Sequence, residues 1–132
     1  MIVLDASAVL ELLLRSPGAE RVEARVLDVA ETLHAPHLLD VEVAQVVGRY
    51  WMGGELDAER GRLALADLGD LPIARYPHDV LLPRVWELRR NVTAYDAVYL
   101  ALAEALGAPL LTCDSRLASA PGHRARIELV SA

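Results

Sequence analysis

The stretch TAYDAVYLALAEAL, Thr93 to Leu106, constrains this chain more than any other. It reads as a helix with apolar side chains almost all the way round, and a helix of that kind is buried. Its first turn nevertheless carries a carboxylate, Asp96, and an ionised carboxylate is costly to bury without a partner. A helix cap, an arginine or a metal ion can offset that cost. The segment TAYD matches a capping box, with Thr93 at the N-cap and Asp96 three residues later. A helix N-terminus also favours negative charge. A carboxylate has two oxygens, so capping and metal ligation can coexist.

The remaining segments say what surrounds this helix. MIVL is a short apolar run ending at Asp5 and reads as a buried strand. SAVLELLL follows as a helix, with Ser7 placed to cap it. AERVEARVLDVAETL, residues 19–33, is an amphipathic helix with Val22, Val26, Leu27, Val29, Ala30 and Leu33 on its apolar side. HAP adds at most an edge strand. HLLDVEVAQVVGRYWM is a helix stopped by Gly53 and Gly54. DAERGRLALADL is another, started by Asp57. PIARY is a strand, and HDVLLPRVWELRR a helix with Pro83 near its first turn. The apolar helix ends at Gly107; PLLTC and RIELV are the last strands. Strands thus alternate with helices, which predicts an α/β domain with a mainly parallel sheet and right-handed crossovers. Sites in such sheets collect beyond the carboxyl ends of the strands. No boundary interrupts residues 1–132, which read as a single domain.

Composition narrows the function classes. Of 132 residues, 54% are hydrophobic and 24% charged, a globular balance. The net charge of −6 provides no broad basic face, but bound metal ions change local charge, so a nuclease stays open. All 13 basic residues are arginine. Cys113, the single cysteine, excludes an intrachain disulfide and reads as a small buried hydrophobe. The N-terminus lacks the basic region of a signal peptide, and no run of eighteen apolar residues occurs. A soluble, cytoplasmic protein with no membrane partner is expected.

Four acids stand out. Asp5 in IVLDAS and Asp114 in LLTCDS each follow an apolar strand and precede a serine, and a parallel sheet would bring both out on one edge. Either alone is most simply a helix cap or an Asx-turn. Asp96 is open to capping and to ligation. Glu42 shares a helical face with Gln45 and Arg49, a pattern that a solvated stripe also explains. Asp40 sits where an N-cap would and reads as structural. Together the acids suggest a site for Mg²⁺ or Mn²⁺, which prefer carboxylate oxygen and keep several waters. An ion there would offset the mutual repulsion of the carboxylates, make a bound water a better nucleophile and stabilise charge on a phosphoryl oxygen.

Asp5 in IVLDAS, Glu42 in LLDVEVAQVV, Asp96 in VTAYDAVYLALAEAL and Asp114 in LLTCDSRL resemble the acidic signature of PIN-domain ribonucleases. The resemblance is especially close to the VapC toxins of bacterial toxin–antitoxin pairs, and length, order and spacing agree across nearly the whole chain. It implies a PIN-like three-layer α/β/α sandwich with a short, mainly parallel sheet. It implies that Asp5, Glu42, Asp96 and Asp114 form a Mg²⁺ or Mn²⁺ pocket, directly or through water, with Ser7 and Thr112 as supporting hydroxyls. The implied reaction is endonucleolytic cleavage of RNA by a metal-activated water. A homodimer and a cognate antitoxin that covers or disturbs the site are implied as well. The chain departs from the family where Gln45 replaces a frequent Asn. Ser115 and Arg116 occupy a stretch where some members carry a further acid, which leaves one or two ions open.

RNA phosphates need cations, and arginine suits them. Arg116, two residues past Asp114, is the preferred contact, with Arg49 beside it; Arg89 and Arg90 read as ordinary surface residues. The aromatics Tyr50, Trp51, Tyr76, Trp86, Tyr95 and Tyr99 read mostly as core or interface. Two other classes compete. Mg²⁺-binding receiver domains and aspartyl phosphatases normally use a lysine, which this chain lacks. A non-catalytic interaction module would use the same acids only as caps, and it would show no metal-dependent cleavage.

Overall fold

The computed structural model describes residues 1–131. Five strands, β1 (Ile2–Leu4), β2 (Leu33–Pro36), β3 (Ile73–Tyr76), β4 (Leu110–Thr112) and β5 (Ile127–Leu129), form one sheet in the order β3-β2-β1-β4-β5. Every pairing is parallel. From central β1 the chain builds outward to β2 and β3, then returns to the other side for β4 and β5. The reversal lies between β1 and β4, and open parallel sheets place ligands in the crevice at such a point.

Alternating side chains of the sheet feed two cores. Ile2, Leu4, Leu33, Ala35, Ile73 and Leu111 pack with α1 (Ala6–Leu13), α2 (Ala19–Val26), α3 (Leu38–Met52) and α4 (Ala58–Asp70). Val3 and Leu110 face the opposite layer, built from α5 (Leu82–Glu87), α6 (Ala94–Leu106) and α7 (Ser115–Ala118). Helices on both faces of a parallel sheet make the expected three-layer sandwich. The apolar helix is α6. Residues Ala97 to Ala103 are buried without a break, because α6 packs on β1, β2, β4 and α5.

Several local signals act as read. Asp57 accepts from the Arg60 N–H, Thr93 accepts from the Asp96 N–H, and Pro83 sits in the first turn of α5. Gly107 closes α6 at φ 62°, a left-handed conformation that glycine adopts without penalty.

Four expectations are corrected. The second helix stops at Val26 rather than 33. Beyond it the Asp28 carboxylate accepts from the Ala30 N–H, an Asx-turn that competes with helix. Leu33 then joins β2, leaving Leu27 and Val29 exposed. HAP is no edge: β2 is fully buried between β1 and β3. Ser7 does not cap α1; Asp5 does, accepting from the Ala8 N–H. Nor does Asp40 cap α3. It lies inside the first turn and takes a forked ion pair from Arg75, while the His78 imidazole accepts from the Leu38 N–H. Among the described residues, no helix is long and apolar enough to cross a membrane.

Candidate active site

The carboxyl ends of β1 and β4 hold the tightest polar cluster in the molecule. Asp5, 5% exposed, follows β1, and its Oδ1 accepts from Ser7 Oγ at 2.7 Å and from Ala8 N at 3.0 Å. Its Oδ2 accepts from the fully buried Thr112 hydroxyl. Ser7 Oγ and Thr112 Oγ1 lie 3.2 Å apart. Each hydroxyl also accepts a backbone N–H from the chain leaving β4, Cys113 N at 2.9 Å and Asp114 N at 3.0 Å respectively. Two serine and threonine hydroxyls thus tie the first strand to the fourth through one carboxylate. Asp114 then caps α7, its Oδ1 accepting from Arg116 N at 2.9 Å and Leu117 N at 3.3 Å.

Glu42 approaches from α3, where it accepts a 2.6 Å hydrogen bond from the buried Tyr99 hydroxyl of α6. Sequence reasoning placed Tyr99 in core or interface and missed this duty. Its signal was available: Tyr99 lies three residues beyond Asp96, on the same side of α6. Asp96 stands half-buried in the first turn of that helix, its backbone N–H capped by Thr93.

The titration behaviour of these acids reports on one another. Burial pushes Asp5 above its ordinary value despite hydrogen bonds from Thr112, Ala8 and Ser7, and the charge of Asp114 adds to the rise. Burial also raises Glu42, with Asp96 and Asp5 adding to it. Asp96 rises through burial and the charge of Asp114, against an opposing pull from Arg116. Burial and the facing Glu42 keep the Tyr99 phenol protonated far above its ordinary range. Four acids, two from helices and two from strand ends, therefore share one electrostatic neighbourhood with too little positive charge.

The other expected residues fall outside this cluster. Gln45 and Arg49 are exposed on α3, and among the described residues neither hydrogen-bonds to an acid of the site. Arg116 stands 3.6 Å from Asp114, with its side chain 83% exposed. Arg89 and Arg90, read from the sequence as ordinary surface residues, line a cleft that opens onto Asp96 and Arg116.

Among the described residues, no three histidine, cysteine or acidic side chains converge tightly enough to cage a metal ion. The donors are nonetheless carboxylate and hydroxyl oxygens, the ligands of hard cations. Their raised proton affinities mark a site that positive charge would stabilise. This set fits a hydrated Mg²⁺ or Mn²⁺ held partly through water better than a fully protein-coordinated ion.

The PIN domain matches residues 2–122, nearly the whole chain, and defines its class. Ribonuclease VapC12 of Mycobacterium tuberculosis is 42% identical over 131 residues, covering 99% of this chain and 100% of that protein. Ribonuclease VapC1 of the same organism is 47% identical over 129 residues, covering 97% of this chain and 96% of its own. The chain belongs to the VapC ribonucleases of the PIN-domain family. Its fold also superposes on VapBC2 from Rickettsia felis, solved bound to a DNA fragment from their promoter. The TM-score there is 0.72 at 15% identity, covering 98% of this chain and 99% of that one.

Proposed function

We propose that this protein is a Mg²⁺- or Mn²⁺-dependent endoribonuclease of the VapC toxin type, hydrolysing RNA phosphodiester bonds at the Asp5–Glu42–Asp96–Asp114 pocket. One observation carries the reading: these acids influence one another's charge around the sheet's reversal point, and three of them are held above their ordinary proton affinity without a cationic partner to match. A divalent ion bound there supplies a more acidic water and charge stabilisation on the phosphoryl group.

The chain's own residues do the rest. Ser7 and Thr112 hold both Asp5 oxygens in one orientation. Tyr99 fixes Glu42 through Oε1, and the carboxylate's Oε2, which makes no hydrogen bond among the described residues, would serve as a proton acceptor. Asp114 uses Oδ1 for its cap, and its Oδ2 carries only the long 3.6 Å approach of Arg116. Asp96 stands at the rim, where the cleft admits substrate.

Asp5→Asn, Asp96→Asn and Asp114→Asn should each lower cleavage of a synthetic RNA by about 10²-fold or more, since even outer-sphere partners of a metal cost 10–100-fold. EDTA should abolish cleavage and Mg²⁺ or Mn²⁺ restore it. Cleavage by the variants at the parental rate, or cleavage unaffected by chelation, would remove the assignment. The same reading places the protein in the cytoplasm as a homodimer whose cognate antitoxin covers the acid pocket. Light scattering of the isolated chain tests the dimer.

A further inference from the structure

Most arginines elsewhere in this chain are committed. Arg25 binds Glu31 and Glu128, Arg75 binds Asp40, and Arg84 binds Glu104. The cleft of about 580 Å³ beside Asp96 breaks that pattern. Its walls carry Arg89 and Arg90 from the turn after α5, Asn91 and Thr93 leading into α6, and Arg116 from α7. All three guanidinium groups belong to exposed residues.

Arg90 makes no hydrogen bond or ion pair among the described residues. Arg116 has only the 3.6 Å approach to Asp114. Arg89 is held rather than paired: its Nη1 donates to the Trp86 carbonyl at 2.8 Å, and its guanidinium lies 4.2 Å from the centre of the Trp86 ring. That posture fixes the group without neutralising it. A chain of net charge −6 thus gathers three arginines at a rim beside Asp96, with the long Arg116–Asp114 contact their one ion pair among the described residues.

A polyanion entering an acidic pocket is repelled until its charge is met. Arginine meets phosphate with paired N–H donors in a fixed fork. We propose that Arg89, Arg90 and Arg116 form a phosphate track that seats the RNA strand on one side of the scissile bond, along the cleft between the α5–α6 turn and α7. The track rests on the nuclease reading for its substrate. It adds that reading's missing half, namely where the strand lies.

The track predicts a KM effect with little change in kcat, because these contacts hold flanking phosphates rather than the reacting one. Arg90→Gln and Arg116→Gln should each raise KM for a short synthetic RNA about tenfold, the range of a hydrogen bond to a charged group. Arg89→Gln should give less, since part of its donor capacity is already used. Arg62→Gln, on the exposed face of α4, serves as the charge-matched control and should leave KM unchanged.

In the Asp5→Asn background, where cleavage is suppressed, equilibrium binding of the same RNA should become less salt-sensitive. The log–log slope should fall by about 0.7 for each arginine removed. If the parent cuts RNA while KM and salt slope ignore Arg89, Arg90 and Arg116, the track is wrong and the nuclease stands. If Asp5→Asn binds RNA with an arginine-dependent slope but the parent cuts nothing, the track stands and the nuclease reading falls. An unchanged RNA slope with altered self-association by light scattering assigns the cleft to a protein contact and overturns the proposal.

Discussion

The two ends of the sheet treat their carboxylates in opposite ways. At the amino ends of the strands, Glu31 meets the N-terminal ammonium of Met1 and the Arg25 guanidinium, which also forks onto Glu128 of β5. Hydrogen bonds from Arg25 and the N-terminus hold Glu31 below its ordinary value. At the carboxyl ends, Asp5, Glu42 and Asp96 are held above theirs, by burial first and by one another second. One end is neutralised as it folds. The other is left short of positive charge, which is what the cation site proposed above requires. On that proposal, the contrast separates structural acids from functional ones better than acid count or position does.

The largest effect that can break this contrast is catalytic. Asp96→Asn should remove RNA cleavage by about 10²-fold or more, whereas Arg25→Ala should leave kcat intact below its melting temperature. Equal losses in the two variants would erase the distinction.

Stability reverses the order. Arg25→Ala strands two partly buried carboxylates and should cost about 1–2 kcal/mol by denaturant melt, reduced from the fully buried case because Arg25 remains 30% exposed. Asp96→Asn should instead raise the melting temperature of the metal-free protein by about 2–4 °C. The gain should vanish when Mg²⁺ is added, because only the parent then gains the ion's binding energy.

The smallest and sharpest effect lies in the pH dependence. Asp5 and Asp96 stand above 3.8, and Glu42 above 4.5, in the folded chain. As pH rises past those ordinary values, the unfolded chain loses its protons first. Metal-free stability therefore falls until the folded groups have also ionised. Glu31 works the other way: the folded chain releases its proton first, so its contribution is present above the ordinary glutamate value and is lost as pH falls through the lowered one. Glu31→Gln should flatten the acid limb of a stability–pH profile, and Asp96→Asn the limb above it. Identical profiles for both variants would mean that the two ends of the sheet are electrostatically alike.

How far the sequence told this story depends on the range of each interaction. Caps and stops act within a few residues, so Asp57, Thr93, Pro83 and Gly107 were legible, as was the alternation that dictates a parallel sheet. The end of α2 was not. Leu33 continues the helical apolar stripe in sequence, but it lies past the Asp28 turn and pairs with β1 as a strand. The same range limit hid Arg75 as the partner of Asp40, 35 residues away, and Tyr99 as the partner of Glu42, 57 residues away. Arg89 and Arg90 looked like ordinary surface because their neighbour Arg116 arrives from a different helix.

Asp5 has a consequence for the timing of synthesis. Its partner Thr112 lies 107 residues later in the chain, and β4 inserts beside the much earlier central strand β1. Until β4 emerges from the ribosome, one side of β1 stays open, Asp5 lacks the Thr112 hydroxyl among its three donors and Asp114 is not yet beside it. In the nuclease proposed above, a growing chain therefore lacks part of its acid pocket until β4 and Asp114 have emerged to pair with β1.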